Sequence, residues 1–239
     1  MDEKETLAIK ARYDVLATQP SAGLSCGGAA ALVDARAGDV CVDLGCGRGR
    51  DLVALAGRVG ASGHVFGIDA SPKMIEAAAA TLRERGVVNA SLHSATLDAL
   101  PLGDGSVDWV VSNCALNHAR DKARVWSEIA RVLRPGGRFV VSDIYAVEPI
   151  AQRWRDDPVA VAECWAGAET RAEYLAHVAL AGLVDVAVKE ERAPYRKQEA
   201  TLSSFTLMGR KPHASEVDAE SETNRHERKR GDEIADQEA

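Results

Sequence analysis

The chain has no apolar run approaching the roughly 20 residues that span a bilayer, so an integral membrane protein is not expected. It has no excess of basic charge either. Its 29 Lys and Arg stand against 36 Asp and Glu, for a net charge of −7, and a general nucleic-acid binder needs a basic face to neutralise phosphates. A secretory leader is not expected, since Met1-Asp2-Glu3-Lys4-Glu5-Thr6 is too polar and acidic for one. The expectation is a cytoplasmic protein that meets neither membrane nor nucleic acid. The five cysteines, Cys26, Cys41, Cys46, Cys114 and Cys164, contain no C-x-x-C pair, which speaks against a structural zinc site. Their odd number and wide spacing make no disulfide framework, and in a reducing compartment they rest as thiols.

What is present is a glycine-rich turn between an apolar strand and a helix. Val40-Cys41-Val42 runs into Asp43-Leu44-Gly45-Cys46-Gly47-Arg48-Gly49, and Arg50 to Val59 reads as the helix. Glycines there let the backbone turn tightly and let a ligand approach without meeting a Cβ. Twenty residues past Gly49 a second strand, Val65-Phe66-Gly67-Ile68, ends at Asp69. A carboxylate at that place can accept both hydroxyl hydrogens of a ribose. A dinucleotide site uses G-x-G-x-x-G and takes pyrophosphate at the helix N-terminus. Here the spacing is G-x-G-x-G, and Asp43 stands two residues before the first glycine. Such a carboxylate repels pyrophosphate and welcomes a cationic amine. A ligand with an adenine, a ribose and an amino-acid end fits: S-adenosylmethionine.

Strand and helix then alternate, as a parallel sheet covered on both faces requires. Residues 3–16 read as an amphipathic helix carrying Leu7, Ile9 and Tyr13, Gln19 to Gly28 as a loop, and Ala29 to Ala35 as helical. Ser71 reads as an N-cap with Pro72 at the first helical position, and Gly86 stops that helix. Ala90 to Ser94, Val107 to Ser112 and Arg138 to Asp143 are expected strands. Asp121 to Leu133 is an expected helix, with Val125, Ile129 and Val132 at helical spacing, ended by Pro135-Gly136-Gly137. Asp157 to Trp165 and Thr170 to Ala181 read as helical, and Val184 to Lys189 with Ser203 to Gly209 as an antiparallel edge. The expected fold is α/β, a doubly wound, mostly parallel seven-stranded sheet with an antiparallel edge strand. One domain spans 1–212, with 1–36 as an N-terminal cover and 145–182 as a helical insertion over the site. Residues 213–239 hold only Val217 and Ile234 as large apolar residues and read as a disordered polar tail.

These motifs together resemble the class I S-adenosylmethionine-dependent methyltransferases, and within them the arsenite methyltransferase-like group. The glycine turn and Arg134-Pro135-Gly136-Gly137 are shared by many methyltransferases. More specific are Val111-Ser112-Asn113-Cys114-Ala115-Leu116-Asn117, Val141-Ser142-Asp143-Ile144-Tyr145 and Glu163-Cys164-Trp165-Ala166-Gly167-Ala168. Cys26-Gly27-Gly28-Ala29 is similar to a cysteine-containing loop of the group, with one thiol where the group has two. The resemblance covers roughly residues 10–211.

It implies a Rossmann-like sheet and S-adenosylmethionine as cofactor. The cofactor contacts implied are Asp43, Gly45, Cys46, Gly47, Asp69, Ala70, Met74, Thr96, Leu97 and Asn113, with Thr96 and Leu97 at the adenine. Asn113 either meets the methionine end or braces its loop. The resemblance also implies As(III) held by Cys26, Cys114 and Cys164, since a soft ion suits thiolates. Its lone pair would then face the sulfonium methyl. No general base is needed, and catalysis is positioning and exclusion of water. A thiol reductant such as glutathione or thioredoxin is the implied partner. Cys41 and Cys46 read more simply as small packed hydrophobes. Trp126 reads as core, Trp165 as a pocket wall, and Arg131 and Arg134 as a solvated face. Two other readings stay open. One is a methyltransferase for a small organic acceptor, quinone-like or phenolic, with His118 or a carboxylate as base. The other is a non-enzymatic module that binds S-adenosylmethionine or a metalloid.

Overall fold

Eight strands pair into a single sheet in the computed structural model, which describes residues 3–19 and 28–216. The strands are β1 (Val40–Leu44), β2 (His64–Asp69), β3 (Ala90–Ser94), β4 (Val107–Asn113), β5 (Leu133–Ala146), β6 (Val184–Glu191), β7 (Tyr195–Lys197) and β8 (Ala200–Arg210). Their order is β3-β2-β1-β4-β5-β8-β6, with the short β7 paired onto β8. The first five lie parallel, and β8 runs antiparallel between β5 and β6. The helices are α1 (Glu3–Ala17), α2 (Arg50–Val59), α3 (Pro72–Glu84), α4 (Lys122–Val132), α5 (Gln152–Arg155), α6 (Pro158–Ala162) and α7 (Arg171–Leu180).

The central strands are buried on both faces, as parallel strands under helices must be. Successive side chains of β1 point to opposite sides. Val42 and Leu44 join a core with Trp126, Ile129 and Val132 of α4 and Phe139. Cys41 joins the other core, with Leu52, Leu55 and Val59 of α2. The packing roles read for Cys41 and Trp126 therefore hold. α3 starts as expected: the Ser71 hydroxyl accepts the Met74 N–H at 3.1 Å, with Pro72 behind it, and Gly86 follows its end at φ +65°.

Several details differ from the sequence reading. The Pro135-Gly136-Gly137 stretch does not separate helix from strand. β5 begins at Leu133, directly after α4, and these residues form an irregularity between the Val107–Leu133 and Trp109–Arg138 pairings with β4. Gly136 sits there at φ +78° and donates its N–H to Lys211 O. Residues 29–32 form a 3-10 turn rather than an α-helix. Leu7 is exposed, whereas Ile9 is buried. Arg131 is not on a solvated face. It forks onto the buried Glu128 at 2.8 and 2.7 Å, reaches Asp104 at 2.7 Å, and caps the Leu100 and Leu102 carbonyls. Arg134 pairs with Asp108 and stays half-exposed. Residues 214–216 form a helical turn that Arg210 holds through Glu216; the rest of the expected tail, 217–239, lies outside the described residues. Among the described residues no helix is long and apolar enough to cross a membrane.

Candidate active site

Parallel α/β sheets bind ligands at the carboxyl ends of their strands, and the glycine turn lies at the end of β1. Gly45 holds φ +73°, and a Cβ on it would stand 2.3 Å from the Ala115 Cβ. The Gly45 and Cys46 N–H groups donate to Ile68 O, which clamps the turn to β2. Asp69 closes it: Oδ2 accepts the Gly47 N–H and Oδ1 the Ser71 N–H, both at 2.9 Å. A Cβ on Gly47, at φ +51°, would meet nothing within 4 Å, so its surroundings are open toward a ligand.

A cavity opens on this turn. Gly45, Gly47, Asp69, Ala70 and Met74 line one side of it, Thr96 and Leu97 another, and Asn113 and Cys114 a third. Ile9 and Tyr13 of α1 complete it, together with Asp98, Ala115, His118 and Ala119. Of the expected cofactor contacts, Asp43 and Cys46 stand outside the lining. The Cys46 side chain packs into the α2 core beside Gly67, and burial pushes its thiol well up. Asp43 is buried at the end of β1. Asn113 braces its loop: Nδ2 donates to Asp51 Oδ2 at 2.7 Å, and Oδ1 accepts the Ala29 N–H at 3.1 Å.

Asp69 lines the cavity, and Asp43 and Asp51 stand behind it in an acidic cluster. Burial raises the pKa of all three, and Asp51 and Asp69 push Asp43 up further. A carboxylate whose folded pKa is raised stabilises the empty protein below its unfolded pKa and ceases to as pH rises through the folded pKa. A cation reverses that balance, because it favours the ionised form. S-adenosylmethionine, which carries sulfonium and ammonium charges, should therefore bind several-fold more weakly at about pH 5 than at about pH 7.5. Adenosine, without those charges, should show a flat profile in the same calorimetric titration. Equal pH dependence of both ligands would contradict this electrostatic role.

The two described candidate cysteines meet. Cys114 follows β4 at φ +53° and Cys164 follows α6 at φ +74°. Both are buried in one apolar cluster, and the Cys164 thiol donates to Cys114 O at 3.5 Å. Left-handed backbone costs a non-glycine residue about 1–2 kcal/mol. Glu163 anchors the Cys164 segment through Lys197 at 2.8 Å, Arg12 at 3.6 Å and Trp165 Nε1 at 3.2 Å. Gly167 allows close packing, since a Cβ there would fall 2.0 Å from Asn117 O. Trp165 is buried in the cysteine cluster and does not line the cavity. Cys26 lies outside the described residues.

His118 is engaged on both nitrogens. Val161 O can only accept, so Nδ1 at 3.2 Å carries the proton and Nε2 accepts the Tyr13 hydroxyl at 2.8 Å. Burial lowers its pKa to about 4. Tyr13 appeared in the sequence only as part of an apolar helical face. Asp51 ends the glycine-turn motif of residues 42–51 but carried no assigned role, because its partner Asn113 is 62 residues away.

The parallel sheet, the glycine turn and the acid that ends β2 define a class I S-adenosylmethionine-dependent methyltransferase fold. The chain belongs to the methyltransferase domain family, whose model matches residues 35–199. An arsenite methyltransferase of Halobacterium salinarum is 36% identical over 199 residues, covering 80% of this chain and 51% of that protein. One from Aquipseudomonas alcaligenes is 42% identical over 134 residues, 53% of this chain and 39% of that protein. The chain thus spans about half or less of these relatives. The crystal structure of an arsenic(III) S-adenosylmethionine methyltransferase from Chlamydomonas reinhardtii superposes with TM-score 0.71 at 31% identity, covering 87% of this chain and 74% of that one.

Proposed function

We propose that this protein transfers a methyl group from S-adenosylmethionine to trivalent arsenic held by Cys114, Cys164 and a third thiol, Cys26. The observation that carries the reading is the pair of cysteines, 50 residues apart, brought together in left-handed backbone beside the cofactor cavity. Positive φ is uncommon for a non-glycine residue, and strain of this kind gathers at functional sites. The similarity to arsenite methyltransferases points the same way.

The residues fit the cofactor. Gly47 leaves room for it, Asp69 presents a carboxylate to a ribose, and the acidic cluster suits its positive charge. When bound, S-adenosylmethionine supplies an electrophilic methyl on a sulfonium. The chain's own part is to bind, orient and exclude water. Arsenous acid condenses with three thiols to give three As–S bonds, each thiol proton leaving in water. Three-coordinate As(III) keeps its lone pair on the side away from its sulfurs, so the cysteines set the direction of attack. No proton leaves the nucleophile, and no base is called for.

The organic-acceptor alternative is less well served. His118, one of the two bases considered for it beside a carboxylate, already accepts from Tyr13 at Nε2 and takes up a second proton only below about pH 4. The direct test is incubation of the protein with S-adenosylmethionine, glutathione and arsenite, followed by mass-resolved chromatography. Methylated arsenic and stoichiometric S-adenosylhomocysteine are expected. Turnover of a phenolic acceptor with none on arsenite would reverse the choice.

A further inference from the structure

The two candidate thiols belong to separate segments of chain. Cys114 precedes the 3-10 turn Leu116–His118, and Cys164 precedes the 3-10 turn Trp165–Gly167. The first segment is tied to β5, where Ser142 O accepts the Cys114 N–H at 2.8 Å. The second meets the first at His118 Nδ1, which donates to Val161 O at 3.2 Å, and at the Cys164 thiol, which donates to Cys114 O at 3.5 Å. The tightest approach is between the two turns. Gly167 lies against the Asn117 carbonyl, so closely that a Cβ on it would fall 2.0 Å from the oxygen. The place of the Leu116–His118 turn therefore sets the place of the Trp165–Gly167 turn.

Asn117 fixes the first of these turns. It is 1% exposed. Its Nδ2 donates to Asp143 Oδ1 at 2.8 Å and to Ile144 O at 2.7 Å, both on β5. A carboxylate and a carbonyl only accept, so the amide has one orientation. Its Oδ1 is then buried without a donor among the described residues. An unpaired buried acceptor is unfavourable, so the worth of this side chain lies in its two N–H groups. Asp143 is held in turn. It is 1% exposed, its Oδ1 also accepts the Ile144 N–H at 2.8 Å, and its Oδ2 accepts the Tyr174 hydroxyl at 3.5 Å. Lys122 braces both segments, donating to Ala119 O at 3.0 Å and pairing at 3.9 Å with Glu169, two residues past Gly167. Asn117, Asp143 and Gly167 do not line the cofactor cavity.

We propose that Asn117, held by Asp143, is a positioning residue for methyl transfer. It sets the surface on which Gly167 packs, and through that contact the separation of the Cys114 and Cys164 sulfurs beside the cofactor. The proposal rests on the reading of those two thiols as ligands of the methyl acceptor. Such a site has little slack, since a misplacement of about 1 Å can cost about 100-fold in rate. Apolar packing is non-directional, and a buried hydrogen-bonded pair supplies the direction it lacks.

The test approaches the contact from both sides in the full chain. Dibromobimane, which fluoresces strongly only when two thiolates have displaced both its bromides, reads the Cys114–Cys164 pair in a Cys26→Ser background. Turnover on arsenite is measured with Cys26 in place. Asn117→Ala and Gly167→Ala should each lower the cross-linking rate and kcat at least about tenfold, with KM for S-adenosylmethionine within about threefold of the parent. Asp143→Ala should behave alike, and Asp143→Asn, which keeps an oxygen for the Asn117 amide, should recover most of the loss. Gly167→Ala leaves the polar pair whole and stays readable if Asn117→Ala does not fold. Cross-linking and turnover within about threefold of the parent in both variants overturn the inference, as does a parallel rise in KM for S-adenosylmethionine, the mark of general disorder. If the parent methylates arsenite and the variants cross-link as it does, only the positioning role falls. If the variants lose cross-linking while the parent leaves arsenite unmethylated, Asn117 still registers the two segments and the acceptor reading falls.

Discussion

Cys164→Ser should lower arsenite methylation by about 100-fold or more while leaving S-adenosylmethionine affinity intact, and Cys114→Ser should do the same. The loss of even an outer partner of a metal ligand costs 10–100-fold, and loss of a soft ligand to a hard hydroxyl costs at least that much. The fold should tolerate the change. Serine is smaller than cysteine, and at position 164 its hydroxyl can donate to Cys114 O as the thiol does. Cys41→Ala is the control. Cys41 sits in the opposite core, and burial pushes its pKa up to about 12, so it should be inert. Single-turnover assays with radiolabelled donor, alongside arsenite titrations, would settle the matter. Full activity of both serine variants would remove arsenic ligation from the account.

Asp69→Ala should weaken S-adenosylmethionine binding by roughly 100-fold. Hydrogen bonds to a charged group contribute about 1.5–3 kcal/mol each, and 1.4 kcal/mol is a factor of ten. The variant removes the proposed ribose acceptor and also frees the Gly47 and Ser71 N–H groups that Asp69 holds in the turn. Asp69→Asn should do comparable harm, because one of its two terminal atoms becomes a donor facing those donors. Isothermal titration distinguishes the outcomes. A dissociation constant within about threefold of the parent for both variants would mean that the ribose is held elsewhere.

The strained cysteines and the acidic cluster share a physical logic. Each is unfavourable in the empty protein, and under the proposed function each would be offset by its ligand. Asp43 is buried beside two other carboxylates, which a bound cation relieves. Cys114 and Cys164 hold positive φ, which the surrounding packing enforces and which the proposed arsenic ligation would use.

The sequence by itself determined what local geometry and chemical type decide. Gly45 and Gly47 at positive φ, Asp69 at a strand end, Ser71-Pro72 opening a helix and the valine-rich central strands all act within a few residues. Short-range sterics and hydrogen bonding make such signals readable. Only the tertiary structure decided which distant groups meet. Cys164 reaches Cys114, Tyr13 reaches His118 across 105 residues, and Arg131 folds back onto Asp104. Likewise Asn117 gives both amide hydrogens to β5 and is left with an orphaned oxygen. Those outcomes depend on strand order and on how residues 145–182 pack over the sheet. They are fixed by the sum of many weak burial and pairing energies, and no single stretch of sequence carries that sum.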